Sequence, residues 1–340
     1  MRASLRPSSA LAIAALLAAC HRGVAPAAPP PPATVAPPAT SAPTVTSPAA
    51  PAGGSVGLEA CEGARLDVDF ARLREARRAE WVRRLFLHDP RFGELAIDGL
   101  VDPFGDARAV RFCAAVLRGG AWDAVVLTHR LDEATVARAL RVYSTRVDQG
   151  GPEALGVPGV DATRVRTGAV AWSAQRVRAG ELLLVPAEAG RRSAALYRAS
   201  TALAPALEAA VAPAGALVAR LAVDEPARSL PWASELADLR RVRAELRATA
   251  AGTAELRATG EAADPAAAAA IAARLTARAE EAAGSLALQI ALRGLLSSLE
   301  VRARGAEVQV HLPATAPQVD SLLALVAAAV GARLDGPLER

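Results

Sequence analysis

The clearest pattern in the chain is a strict alternation of apolar and charged residues between positions 241 and 258, interrupted near Gly252. The apolar members are Val242, Ala244, Leu246, Ala254, Leu256 and Ala258, and the charged members are Arg241, Arg243, Glu245, Arg247, Glu255 and Arg257. A period of two on both sides of a glycine predicts a β-hairpin with one buried and one charged face. Asp264 and Pro265 then predict the start of a helix that ends near Gly284.

The same order of hairpin and helix returns near the end of the chain. Residues 299–312 alternate across Gly305, so they predict a second hairpin. Thr315 and Gln318 form the pattern of a capping box, and an apolar stripe follows them. This segment therefore predicts a second hairpin–helix unit.

Two earlier segments fit the same unit. Residues 110–130 form a hairpin pattern around Gly119 and Gly120, followed by a helix pattern from Asp132. A looser copy runs from 165 to 185 through Gly180, with a helical stretch after Gly190. Four units therefore follow one another along the chain.

Four hairpin–helix units in two pairs predict an α+β fold with two similar domains, 58–212 and 213–340. We expect each domain to hold an antiparallel sheet made of two units, with its helices on one face and its Arg/Glu face open. A leading helix over 70–87 and an extra strand over 216–223 add one element to each domain. In this pattern the folded part resembles uncharacterised envelope lipoproteins built from tandem ferredoxin-like or similar α+β repeats, a resemblance that implies no particular activity.

The N-terminus has the pattern of an export signal. Arg2 and Arg6 precede an apolar run over 10–19 that ends at Cys20. This run is half of the roughly 20 residues that a helix needs to cross a bilayer, so it predicts a signal peptide over 1–19 and no membrane span. The sequence Leu-Ala-Ala-Cys at 17–20 resembles the lipobox of bacterial lipoproteins.

The lipobox resemblance implies cleavage between Ala19 and Cys20 and acylation of Cys20. Because His21 rather than an aspartate follows, it also implies an outer-membrane location, with the protein facing the periplasm or the cell surface. Two or more acyl chains give stable anchoring. The Pro/Ala-rich segment 20–57 cannot bury enough apolar surface to fold, so we expect a disordered tether that spans up to roughly 110 Å as polyproline II.

The charge and the composition of the chain argue against nucleic-acid binding. The formal net charge is +4, and removal of 1–19 takes away Arg2 and Arg6 and leaves +2. Basic residues alternate with acids instead of forming a basic arm, and only 3% of the residues are aromatic, too few for a base-stacking platform.

Two cysteines remain once Cys20 is acylated. Cys61 and Cys113 would lie in an oxidising compartment, where they can form one disulfide. The alternative is a pair of buried free thiols, since cysteine packs as a small apolar residue.

The folded part contains few residues with recognisable chemistry. His88, His129 and His311 do not have the spacing of metal ligands, so we expect solvated or locally hydrogen-bonded histidines. Asp98, Asp102 and Asp106 are a calcium hypothesis, but aspartate beside glycine or proline more often starts a turn. We therefore predict no metal, no cofactor and no catalytic residue.

These observations together favour a non-enzymatic lipoprotein that acts as a binding or assembly module in the envelope. Its partners would be the membrane, through the lipid anchor, and an envelope protein or anionic polymer. Docking of such a partner on the Arg/Glu face near Arg243 and Arg247 is a hypothesis, and a solvated face with cross-strand ion pairs is the favoured interpretation of that pattern. The alternative is an envelope hydrolase or other enzyme whose site is assembled from distant residues.

Overall fold

A computed structural model of the chain describes residues 63–88, 93, 101–116, 123–147, 150–167, 170–199, 215–230 and 233–334. Within these ranges the chain forms strands β1 (Ala64–Asp69), β2 (Ala107–Ala114), β3 (Ala124–His129), β4 (Gly151–Glu153), β5 (Asp161–Thr167), β6 (Val170–Arg178), β7 (Glu181–Pro186), β8 (Ala216–Asp224), β9 (Arg241–Ala248), β10 (Ala254–Glu261), β11 (Glu300–Arg304) and β12 (Glu307–Ala314). The described helices are α1 (Phe70–Leu73), α2 (Ala79–His88), α3 (Pro103–Asp106), α4 (Glu133–Val147), α5 (Gly190–Ala199), α6 (Pro226–Ser229), α7 (Pro265–Gly284), α8 (Leu286–Ala291) and α9 (Ala316–Val330).

The described strands form one antiparallel sheet in the order β11-β12-β10-β9-β8-β1-β2-β3-β7-β6-β5-β4. The order is nearly a palindrome, because β8-β9-β10-β12-β11 in the C-terminal half repeats β1-β2-β3-β7-β6 in the N-terminal half. Antiparallel pairing of β1 with β8 joins the halves, with Ala64 opposite Val223 and Leu66 opposite Leu221. The two halves thus share the order of five strands, and β5 and β4 extend the N-terminal half.

The α+β class and the antiparallel pairing are confirmed, but the two separate sheets of the prediction are wrong, because β1 joins both halves into one sheet. The division into domains 58–212 and 213–340 stays a prediction. The predicted unit over 165–185 also differs from the other three units. Its hairpin is β6–β7, with the turn at Gly180, and β5 and β4 extend the edge of the sheet beyond it.

The strongest helix signals of the sequence are confirmed by the structure. Asp264 caps α7 by accepting a hydrogen bond from the Ala267 amide at 2.8 Å. The leading helix is instead broken into α1 and α2. Arg74, in the break, donates to the Phe104 and Ala107 carbonyls at 2.6 and 2.8 Å, so tertiary hydrogen bonds hold the interruption.

One face of the sheet, the core face, carries a continuous apolar core through both halves. Leu66 and Val223 lie in this core together with Val136 of α4 and Ile271 of α7. Helix α5 lies on the opposite face, where Gln175 of β6 donates to the Gly190 carbonyl at 2.8 Å. The expectation that all helices share one face is therefore wrong for α5, since Gln175 alternates along β6 with core-face residues such as Ala174.

Candidate functional site

The face opposite the core in the C-terminal half is the candidate site, and we call it the charged face. It comprises Arg241, Arg243, Glu245, Arg247, Glu255, Arg257, Thr259, Glu261, Glu300, Arg302, Arg304, Glu307, Gln309 and His311. Strand alternation puts these side chains on one surface, as the sequence pattern predicts. Most are exposed, and Arg302 is 75% accessible.

A row of charges crosses the sheet at one level. The residues directly opposite one another on successive strands are Arg111, Asp67, Arg220, Glu245, Arg257, His311 and Glu300. Apart from His311, these residues alternate in sign from strand to strand. Opposite charges across strands contribute about 0.2 to 1 kcal/mol per pair, so the row favours this strand register.

Ion pairs neutralise much of the charged face. Arg220 contacts Glu245 at 3.0 Å, and Glu255 contacts Arg257 at 2.8 Å and His311 at 2.7 Å. Burial opposes ionisation of Glu255, but the hydrogen bonds from Arg257 and His311 outweigh it and lower the pKa of Glu255. His311 is therefore locally hydrogen-bonded, as predicted.

The two arginines singled out from the sequence differ in environment. Arg247 is 14% exposed and donates to Glu245 at 3.2 Å. Arg243 is exposed and lies opposite Ala222 on one side and Thr259 on the other, so no carboxylate faces it across either neighbouring strand. Among the described residues Arg243 has no ion pair, which makes it a cation that a ligand can reach.

His129 differs from its prediction. It is only 7% exposed, and neither ring nitrogen makes a hydrogen bond of normal geometry with a described residue. Burial lowers the pKa of His129, opposed by the charges of Glu133, Asp106 and Glu181 and by the backbone of Leu131. The expectation of a solvated histidine is wrong here, because Val125, Leu127 and His129 alternate on the core face.

A cavity of about 20 Å³ lies beside His129, between β3 and α4. Its lining is apolar apart from His129 and Asp106, with Leu127, Val136 and Leu140 among the apolar contacts. A cavity of this size holds about one water molecule and no organic substrate.

The aspartates of the calcium hypothesis hold a turn. Asp102 accepts from the Phe104 amide at 3.0 Å and from Arg83 at 2.7 Å, while Asp106 accepts from the Asp102 amide at 3.1 Å. Asp98 lies outside the described residues. Within the described ranges no cluster of three or more His, Cys, Asp or Glu side chains is placed to hold a metal ion. His88 is exposed at the end of α2.

The predicted export and anchoring residues, Ala19 and Cys20, lie outside the described residues, as does Cys61. Cys113 is disulfide-bonded, and it packs with Val126 and Leu183 opposite the core face. Its partner is not among the described residues, so the Cys61–Cys113 pairing stays a prediction. None of the described helices has the length and hydropathy to cross a bilayer.

One pair of buried charged residues was not predicted from the sequence. Asp67 and Arg111 are 2% and 6% exposed and form a bidentate ion pair. The alternation of Ala64, Leu66 and Val68 with charged residues is the signal that would have located β1 and thus Asp67.

Comparison with protein-family models and with curated proteins finds no match. Among solved structures the chain is similar to crystal form I of TP0453, with a TM-score of 0.42 and 8% sequence identity. The similarity covers 79% of this chain and 97% of the other.

Proposed function

We propose that the chain is a bacterial envelope lipoprotein, acylated at Cys20, that acts as a non-enzymatic binding or assembly module. The lipobox-like sequence at 17–20 supports the anchor, and the Pro/Ala-rich segment 20–57 supports a tether between membrane and fold. The outer membrane is the proposed location, because His21 follows the lipidated cysteine.

The charged face is the proposed docking surface, and the observation that carries this proposal is the contrast between Arg243 and its neighbours. Most charges on the face are matched within the fold, whereas Arg243 is exposed with Thr259 beside it and no carboxylate across either strand. Four paired strands hold these groups rigidly. Such a surface fits a partner that brings a carboxylate or phosphate group to Arg243, with weaker association at high salt.

In-cell crosslinking of the tagged full chain tests this proposal. Washed membranes are crosslinked, and the captured partner and the N-terminal peptide are identified by mass spectrometry. We expect acylated Cys20 and an envelope partner whose capture falls at high salt and in Arg243→Glu. Arg192→Glu is the matched control, because Arg192 is exposed on α5, away from the charged face.

The outcomes separate the two parts of the proposal. An unmodified Cys20 would overturn the anchor. A partner captured equally by Arg243→Glu and Arg192→Glu would place the docking surface elsewhere. Acylated protein without a reproducible partner would contradict the binding module and favour the alternative of an envelope enzyme.

A further inference from the structure

Three arginines converge on one carboxylate beside the start of helix α9. Arg78, which directly precedes α2, donates from Nε and Nη2 to the two carboxylate oxygens of Asp320 at 2.6 and 2.7 Å. The hydrogen bond from Arg78 lowers the pKa of Asp320 against the opposing effect of burial, and the charges of Arg77 and Arg293 lower it further. One carboxylate thus faces three cations, and we call this group the arginine cluster. It has an excess of two positive charges.

Arg77 and Arg293 are the unbalanced cations of the arginine cluster. Both are exposed, and the side chain of neither forms an ion pair or a hydrogen bond with a described residue. A single surface arginine is ordinarily solvated. A binding site therefore requires that the fold bring both side chains to the same place.

The turn of the β9–β10 hairpin positions Arg77. Gly252 in this turn has a φ of +90°, and a Cβ at this position would lie 2.8 Å from Arg77 Cδ and 3.3 Å from Ala316 Cβ. The stem of Arg77 therefore packs against both the turn and the first residue of α9. Asp320 follows Ala316 by one helical turn on the same side of α9, so Arg77 lies next to the carboxylate.

The end of α8 positions Arg293. This residue has a φ of +50°, its amide donates to the Ile290 carbonyl at 3.3 Å, and the Gly294 amide donates to the Gln289 carbonyl at 2.9 Å. These two bonds form a Schellman motif in which Arg293 occupies the position that favours glycine. Gln318 of α9 donates to the Arg293 carbonyl at 3.1 Å, which ties the residue to the same end of α9. An arginine here has a conformational cost that glycine would avoid, and outliers of this kind point to a function of the side chain.

Packing holds the base of the arginine cluster in place. The guanidinium carbon of Arg78 lies 4.3 Å from the centroid of the Trp81 ring, which is a cation–π contact. Val82 and Phe86 of the same helix pack against the core. The cluster therefore lies on the core-face side of the sheet, away from the charged face.

The charge of the cluster restricts its ligand. Guanidinium groups bind carboxylates and phosphates through paired, charge-assisted hydrogen bonds. An excess of two positive charges matches a phosphate monoester, which carries nearly two negative charges at neutral pH, better than a single carboxylate.

We infer that Arg77 and Arg293 form a binding site for a phosphate monoester group, with the Arg78–Asp320 pair as its fixed base. The site is separate from the charged face and does not depend on the lipid anchor. The phosphate group belongs either to a soluble metabolite or to a lipid headgroup, and these two sources share the same chemistry.

Calorimetric titration of the full chain with glycerol phosphate at pH 8 and constant ionic strength tests the inference. We expect saturable binding with a dissociation constant on the order of 1 mM, and much weaker binding of acetate, which carries one charge. Repeating the titration on phosphatidylcholine vesicles with and without phosphatidic acid distinguishes the two sources. A lower apparent affinity with phosphatidic acid present identifies a lipid headgroup, and an unchanged affinity identifies a soluble ligand.

Arg293→Gly is the most informative variant. It removes one cation and supplies the residue that the backbone favours, so binding should weaken about tenfold while the melting temperature stays the same or rises. Loss of binding in this variant is then not explained by unfolding. Arg77→Gln should weaken binding by a similar factor. Arg192→Gln, at an exposed arginine on α5, is the matched control and should bind as the wild type does.

Three results would overturn the inference. The first is the absence of saturable binding at millimolar glycerol phosphate. The second is equal affinity for acetate, which would show that the site does not select two charges. The third is binding that is unchanged in both Arg293→Gly and Arg77→Gln, or that weakens equally in Arg192→Gln, which would indicate nonspecific attraction to surface arginines.

Discussion

Asp67 of β1 and Arg111 of β2 form a buried bidentate ion pair next to the junction of the two halves of the sheet. Arg111 Nε donates to Asp67 Oδ1 at 2.6 Å, and Arg111 Nη2 donates to Oδ2 at 3.1 Å. Asp67 also lies opposite Arg220 of β8. The ion pair therefore lies beside the strand pair that joins the two halves, on the face opposite the core.

Removing the carboxylate should be strongly destabilising. We expect Asp67→Ala to lower the free energy of unfolding by about 3 to 5 kcal/mol, because Arg111 is left buried without its acidic partner. Urea denaturation followed by circular dichroism measures the change. Asp67→Leu combined with Arg111→Met should cost less than Asp67→Ala alone, and a larger cost for the double variant would contradict this account.

His129 should make the fold sensitive to acid. Burial lowers the pKa of His129 in the folded state below its ordinary value of about 6.5. The unfolded chain then binds a proton more readily, so the contribution of His129 is fully present above that value and is lost as the pH falls below it. The slope is at most about 1.4 kcal/mol per pH unit.

Urea midpoints measured between pH 7.5 and pH 5 test this dependence. His129→Phe should reduce the loss of stability at low pH, because the buried side chain no longer titrates. An equal loss of stability in the wild type and in His129→Phe would show that other groups cause the acid sensitivity.

Local patterns predict much of this fold, whereas pairing between distant segments needs the structure. The hairpins around Gly252 and Gly305 and the cap of α7 at Asp264 follow from residues within a few positions of one another. The pairing of β1 with β8 joins segments about 150 residues apart, and alternation cannot select a partner for a strand. Two equivalent halves could equally form two sheets, so one continuous sheet was not predictable.

The candidate site could also be predicted only in part from the sequence. Alternation places Arg243 and Arg247 on one face, but it cannot show that Arg247 is paired with Glu245 and largely buried while Arg243 is exposed. Likewise, the break between α1 and α2 depends on hydrogen bonds from Arg74 to α3 and β2, whereas the sequence around Arg74 favours a continuous helix.

The two arginines should therefore respond differently to charge reversal. Arg243→Glu should change the free energy of unfolding by less than about 0.5 kcal/mol, since the side chain is exposed and has no ionic partner among the described residues. Arg247→Glu should cost about 1 to 3 kcal/mol, because it removes a charged hydrogen bond and places a third carboxylate beside Glu245 and Glu255. Thermal and urea unfolding measure both changes, and equal effects would contradict the structural distinction.

The N-cap of α7 offers a local test. The Asp264 side chain accepts from the Ala267 amide, so Asp264→Ala should lower the free energy of unfolding by about 1 kcal/mol. Asp264→Asn keeps an oxygen acceptor and should be close to neutral. Equal losses in the two variants would indicate that charge, and not the capping hydrogen bond, is responsible.

The shared sheet predicts that the two halves depend on each other for folding. Separate fragments 58–212 and 213–340 would expose β1 and β8 as open edges, although Ala64 and Val223 are fully buried at their pairing in the whole chain. Apolar strands with unpaired edges associate, so we expect each fragment to aggregate alone and the co-expressed pair to form a soluble complex. Size-exclusion chromatography and circular dichroism measure both outcomes. If each fragment alone were monomeric and unfolded cooperatively, the division into two independent domains would hold, and the β1–β8 pairing would be a contact between domains and not part of one folding unit.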